Sequence, residues 1–189
     1  LSVSSDIKIN TNMTIQFLKI RDVKSPTRAY EFDAGIDFYV PAFTESFLND
    51  LMEKNPTADL AGKGEGEVSS ITIPAHGRIM IPSGIKSRMS EPGRALIAHN
   101  KSGIATKHGL IFGAAVVDYT YKGEIHLSLI NTTDHTVDLA PGQKIIQFLE
   151  VPVLNSIVDI WEEGSNEEEF YKGLQDDRGA DGFGSTDKK

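Results

Sequence analysis

The sequence predicts an all-β protein. Three observations carry that expectation. Apolar runs recur at strand length, Gly and Pro punctuate them at Pro74, Gly77, Pro82 and Pro92-Gly93, and no rhythm of strand, helix, strand appears. Such spacing indicates a sandwich or barrel built from short strands. At 189 residues, with 39% hydrophobic and 24% charged residues, the chain is long enough for one globular core.

The elements follow in order. Residues 1–12 are polar and patternless, and are expected to be a disordered extension or an appended remnant ahead of Met13. Ile15 to Ile20 alternates apolar with polar side chains, as a half-buried strand does. Ala34-Gly35-Ile36-Asp37-Phe38 puts an acid just after a glycine turn, at a strand entrance. Phe47, Leu48, Leu51 and Met52 then fall on one helical face, with Thr44 as N-cap and Pro56 as the stop. The Gly-Lys-Gly of 62–64 lacks the order of a phosphate-binding P-loop and reads as a flexible loop. Residues 44–70 together read as an insertion between strands, either a loop decoration or a partner-binding element. Its apolar face must be buried on something. Strands are expected at 71–73, 78–81, 84–89, 95–99, 124–131, 136–139 and 144–153.

Bulk properties exclude some roles. A net charge of −8 argues against a general nucleic-acid binder. No apolar run reaches membrane-spanning length, so no membrane role is expected. The absence of cysteine excludes disulfides and thiolate metal sites, and fits an intracellular, cytoplasmic protein. His76, His99, His108, His126 and His135 show no metal-ligand spacing. The acidic residues between 162 and 169 read as a solvated linker.

Several blocks carry chemistry. Lys101-Ser102-Gly103, after a strand, offers a cation, a hydroxyl and a close-approach glycine to a phosphate. Gly113-Ala114-Ala115 leaves room for a flat ligand. Asp118 ends the apolar run that follows, where an ionised acid is uncomfortable without a task, and Tyr121 could present its ring to a sugar. The plainer alternative is a β-hairpin with Asp118 and Lys122-Gly123 in its turn. Gln147 is a lone amide in an apolar strand and needs partners, in a core network or on a ligand. The tail sets Arg178, Phe183, Gly184, Ser185 and Thr186 among glycines, a composition suited to a lid over a nucleoside phosphate.

AGIDF, NKSGIA, GAAVVDYTYKGEI, PGQKIIQFL and RGADGFGST occur in the order and approximate spacing of the trimeric all-β dUTP nucleotidohydrolases (dUTPases). The sequence resembles that family over about residues 15–187, apart from the insertion. The resemblance implies a jelly-roll (β-clip) subunit over residues 13–175, a lid over 176–189, and a homotrimer with sites at its interfaces. It implies hydrolysis of dUTP to dUMP and pyrophosphate, which limits uracil in DNA and supplies dUMP for dTMP synthesis. Asp118 matches the general base that activates water against the α-phosphorus. Tyr121 matches the ring under the deoxyribose. Ala115 and Val117 lie in the segment, read as the 110–118 hairpin, whose backbone would recognise uracil. Lys101, Ser102 and Gly103 match phosphate binders, and Gln147 a residue beside them. Asp37 matches the acid that holds Mg²⁺ through water, and the ion would be carried mainly by the triphosphate. Arg178 would grip the γ-phosphate, Phe183 would stack on the base, and Gly184, Ser185 and Thr186 would donate to phosphates.

The sequence departs from the family pattern at Lys101, where Arg is usual, at Thr120, where an acid is usual, and at Asp181, where a small residue is usual. Slower or weaker turnover is expected. The dCTP deaminases share the fold but carry a glutamate where Ser128 stands here, so that alternative lacks its proton shuttle. A regulatory protein of the same fold, acting through residues 44–70 and working in a host cytoplasm if virus- or phage-encoded, is the second reading. Deleting residues 46–66 would be expected to separate the two roles.

Overall fold

The computed structural model describes residues 13–56, 59–61 and 68–174. They fall into two compact units, one ending at Leu154 and one beginning at Asn155.

The first unit is built from four small antiparallel sheets. β1 (Ile15–Lys19) pairs with β6 (Ile85–Met89). β10 (His126–Asn131) lies between β5 (Arg78–Pro82) and β8 (Leu110–Phe112). β4 (Ser70–Ile73) lies between β11 (Val137–Leu139) and β3 (Asp59–Ala61). The fourth sheet runs β2 (Gly35–Tyr39), β12 (Lys144–Pro152), β7 (Arg94–Asn100), β9 (Val116–Asp118). Period-two burial drives these pairings: Leu127, Leu129 and Asn131 of β10 point inward while their neighbours are half-buried. Phe38 and Phe148 from adjacent strands meet at 4.7 Å in the core, and Phe17 packs edge-on against Phe38 at 5.6 Å. The all-β expectation holds, and most expected strands are present.

The helix expected over 44–54 is α1 (Glu45–Lys54), with the Thr44 hydroxyl accepting from Phe47 N–H. Its apolar face is not offered outward. Phe47 and Leu51 are fully buried in the domain's own core. The end of α1 is fastened by Asn55, which is itself buried. Its amide donates to Leu51 O and Met80 O while its carbonyl accepts from Met80 N–H, an amide standing in for a strand neighbour. After it, 59–61 pairs with β4, and residues 62–67 of the expected loop lie outside the described residues.

One helix was not expected and two expectations need correction. Lys101-Ser102-Gly103 opens α2 (Ser102–His108), which Gly109 closes at φ 61°. Residues 110–118 are not a hairpin. β8 pairs with β10 and β9 with β7, so the chain changes sheet across Gly113-Ala114-Ala115. A side chain at Gly113 would strike Ser128 Oγ at 2.6 Å, which is why glycine stands at the crossover. The acidic run, in the second unit, is not bare linker. Asn166 caps α3 (Glu167–Phe170), and Phe170 packs edge-on between Trp161 and Tyr171.

Because Phe47 reaches the core, Phe47→Ala should destabilise the protein by about 3–5 kcal/mol. Urea unfolding at fixed protein concentration measures this. A loss under about 1 kcal/mol would mean that the insertion folds apart from the domain.

Candidate active site

The site residues assemble into two clusters at opposite ends of β7. The first gathers around Asp37, which is 3% exposed. Lys101 Nζ donates to its Oδ1 at 2.7 Å and Lys144 Nζ to its Oδ2 at 2.8 Å. A β-bulge makes this possible. The register of β12 against β2 slips between Lys144 and Ile146, leaving Ile145 and Ile146 both buried. Three residues apart on a regular strand, Lys144 and Gln147 would face opposite ways. The bulge turns Lys144 back toward Asp37, which Gln147 directly opposes. Burial pushes the Asp37 carboxyl up, but the hydrogen bonds from Lys101 and Lys144 outweigh it and hold it below its ordinary range. Gln147 finds the partner its strand position demanded: its amide donates to Asn100 O at 2.8 Å. A side chain at Gly35 would collide with Gln147 Oε1.

Lys101 occupies the N-cap of α2 but gives the helix no side-chain cap, because an ammonium has no acceptor for the helix N–H groups; it is held by Asp37 instead. Ser102 and Gly103 follow, both exposed, and no atom lies within 4 Å of where a Gly103 side chain would begin. The structure therefore brings Asp37, Lys101, Ser102, Gly103 and Gln147 together, and adds Lys144. Sequence reasoning missed Lys144 because a bulge leaves no local signature.

The second cluster holds Ala115, Val117, Asp118 and Tyr121. They share the wall of a cavity of about 190 Å³ with His126 and Phe148. β9 is the edge strand of its sheet, so backbone groups on its outer side have no partner within that sheet. The Ala115 carbonyl is already engaged, accepting from Ala98 N–H at 2.7 Å. Asp118 is exposed, not the buried acid that its place after an apolar run suggested. Its carbonyl accepts from Tyr121 N–H at 3.1 Å, closing the turn, and Tyr121 Oη donates to Glu124 O at 2.9 Å. Tyr121 also borders a larger groove of about 760 Å³, beside Phe17, Leu18 and Arg88.

β7 fixes the distance between the clusters. Asp118 lies opposite Ala95 and the cationic cluster opens just past Asn100. Five residues of strand, at about 3.3 Å each, separate the two backbones by roughly 17 Å. One subunit thus carries a carboxylate with an aromatic ring at one end and a phosphate-type cradle at the other. Arg178, Phe183, Gly184, Ser185, Thr186 and Asp181 lie outside the described residues.

Among the described residues no group of three His, Asp or Glu side chains converges. Asp37 faces two ammonium groups, so the local field is positive. That set does not fit a divalent ion held by the protein's own carboxylates.

A small all-β unit with an exposed carboxylate and a cationic cradle at the two ends of one strand is what the resemblance to the nucleotide hydrolases of this type leads one to expect. The comparisons with known proteins agree. The dUTPase family model matches residues 68–186. A deoxyuridine 5'-triphosphate nucleotidohydrolase of Aromatoleum aromaticum is 39% identical over 114 residues, 58% of this chain and 68% of that protein. One from Candida glabrata is 38% identical over 117 residues, 61% of this chain and 74% of that protein. A Staphylococcus bacteriophage 80alpha dUTPase variant with dUpNHpp superposes with a TM-score of 0.63 at 16% identity, over 92% of this chain and 98% of that one. The native EIAV dUTPase gives a TM-score of 0.54 at 21% identity, over 81% of this chain and all of that one. The chain belongs to the dUTPase family. α1 lies ahead of the region that the family model matches.

His126 makes the site's wall sensitive to pH. Burial pushes its pKa below 6.5, against the opposing pull of Glu124, and its Nε2 has no partner among the described residues. The unfolded chain then binds a proton first as pH falls through about 6.5, so stability present above that pH is lost below it. The lowered carboxyl groups of Asp37 and Glu124 act only in the acid range, below 3.8 and 4.5. Urea midpoints should therefore fall between about pH 7 and pH 5.5, and His126→Gln should flatten that slope. An unchanged slope in the variant would contradict the assignment.

Proposed function

We propose that the protein hydrolyses dUTP to dUMP and pyrophosphate. The observation that carries this reading is the pairing, in one family fold, of an exposed carboxylate beside a ring-lined cavity with a distant cationic cradle. Asp118 takes a proton from water as the water oxygen attacks the α-phosphorus, and the bond to the α,β-bridging oxygen breaks to release pyrophosphate. Tyr121, fixed by Glu124 O, stacks beneath the deoxyribose and leaves no space for a 2′-hydroxyl. The cavity shared by Ala115, Val117 and Asp118 takes the base, with the outer edge of β9 supplying backbone donors and acceptors. Lys101, Ser102 and Gly103 hold phosphate oxygens, and Gln147 buttresses Asn100 beside them.

The separation along β7 makes the homotrimer part of the reading. The cradle completing one subunit's Asp118 site comes from another subunit, and Arg178, Phe183, Gly184, Ser185 and Thr186 close over the substrate as a lid. Mg²⁺ is the cofactor of this reading, delivered on the triphosphate, whose charge it neutralises. Asp37 serves chiefly to place Lys101 and Lys144. No step here runs through the metal.

The regulatory alternative loses one support. Phe47 and Leu51, the inner half of the apolar face of α1, are buried in the domain's own core, which leaves only the half-buried Leu48 and Met52 of that face to offer a partner. Deleting residues 46–66 would remove Phe47, Leu51 and Asn55 together and could not separate partner capture from folding.

Pyrophosphate release from dUTP, dCTP, dTTP and UTP tests the reading. Strong preference for dUTP is expected, with Asp118→Asn lowering kcat by about 10²–10⁴-fold. Lys101→Arg, which restores a planar fork, should raise kcat/KM. A folded protein that hydrolyses none of these nucleotides would overturn the proposal.

A further inference from the structure

Arg21 lies outside every block that carries the family resemblance, yet it joins three parts of the molecule. It follows β1 and is only 17% exposed at its side chain. Its Nε donates to Glu124 Oε1 at 2.9 Å and its Nη2 to Glu124 Oε2 at 3.0 Å, a two-point fork on one carboxylate. The same Nη2 donates to Asp50 Oδ2 of α1 at 2.5 Å. Glu124 is 11% exposed and also accepts from Gly84 N–H at 2.7 Å. Gly84 has φ +73°, and a side chain there would meet Arg21 Cβ at 2.9 Å, so glycine is required for Arg21 to lie flat across the turn.

Glu124 matters because of what its backbone holds. Its carbonyl accepts the Tyr121 hydroxyl proton, and Gly123 lets the ring fold back: a side chain there would strike Tyr121 Oη at 2.4 Å. Tyr121 is 44% exposed, so packing alone does not hold its ring. The fork on Glu124 therefore restrains a turn whose working side chain is otherwise loose. Asp50 brings α1 into the same restraint, and Asn55 fastens α1 to β5. A chain of hydrogen bonds runs from the insertion through Arg21 to the ring proposed to sense the sugar.

We propose that Arg21 is a positioning residue for the Tyr121 turn, and that Asp50 makes helix α1 of the insertion part of that brace. The insertion is then a mechanical element of substrate selection. Anything that displaces α1 loosens discrimination at the sugar, and substrate that seats Tyr121 tightens α1. This rests on the dUTP reading above. Arg21 touches no substrate and acts through Glu124.

The test compares wild type, Arg21→Ala, Arg21→Lys and Asp50→Asn in the full chain, with dUTP and UTP. Arg21→Ala should raise KM for dUTP and erode the preference for dUTP over UTP, each by about tenfold, while kcat stays within about threefold. Arg21→Lys keeps the charge but not the fork and should recover part of the loss. Asp50→Asn should shift the preference the same way by less, because Asp50 is the more exposed partner. Backbone hydrogen exchange over residues 119–125 reads the brace without turnover and should quicken in Arg21→Ala. A variant that loses stability but keeps wild-type KM, preference and exchange in that segment overturns the proposal. Should Arg21→Ala fail to fold, Asp50→Asn and Arg21→Lys decide it by the same criteria. Wild-type protein inert toward dUTP would sink the underlying reading instead, and the exchange measurement would still decide the brace.

Discussion

The chemistry of this subunit depends on one strand. β7 is hydrogen-bonded to β12 on one side and to β9 on the other. The first pairing sets Gln147, and through it Asp37 and Lys101, beside the Asn100 end. The second sets Asp118 beside Ala95. A strand cannot shorten without breaking both ladders. The backbones that carry the carboxylate and the cradle are thereby held roughly 17 Å apart. On the proposed reading, that separation is what calls for sites shared between subunits.

Within the cradle the decisive interaction is electrostatic. A carboxylate as deeply buried as Asp37 is costly unless its charge is met. Lys101 and Lys144 meet it, and in doing so become fixed in place. The more exposed partner, Lys144, has its pKa raised above the ordinary lysine value by the hydrogen bond to Asp37. Two cations on one anion leave a net positive cluster beside an open helix start. In a protein of net charge −8, that local field is what a triphosphate would meet.

Much of this was legible in the sequence because local signals were strong. A strand at 15–19, the Thr44 cap with its helical apolar spacing, and the strands closed by Gly and Pro all survive in the structure, although the alternation of β1 stops at Phe17 because Leu18 is exposed. What stayed hidden needed tertiary information. α2 escaped because Gly103 weakens a helix of only seven residues, although Gly109 was a readable stop. The β12 bulge, and with it the role of Lys144, has no residue signature. The sheet change at 113–115 resembles a hairpin in sequence, since both begin with small residues between apolar runs. The insertion helix was visible, but not the destination of its apolar face. Burial of Phe47 and Leu51 in the main core turns an apparent appendage into structure.

The central claim is that Asp118 of one chain works with the cradle of another. Mixing two inactive variants tests it most directly: Asp118→Asn, and Lys101→Ala combined with Ser102→Ala, unfolded together and refolded as mixed oligomers. If the site is shared, activity on dUTP reappears in the mixture, with about a quarter of the sites complete by random assortment. If each chain used its own Asp118 with its own cradle, the mixture would stay as inactive as its parents.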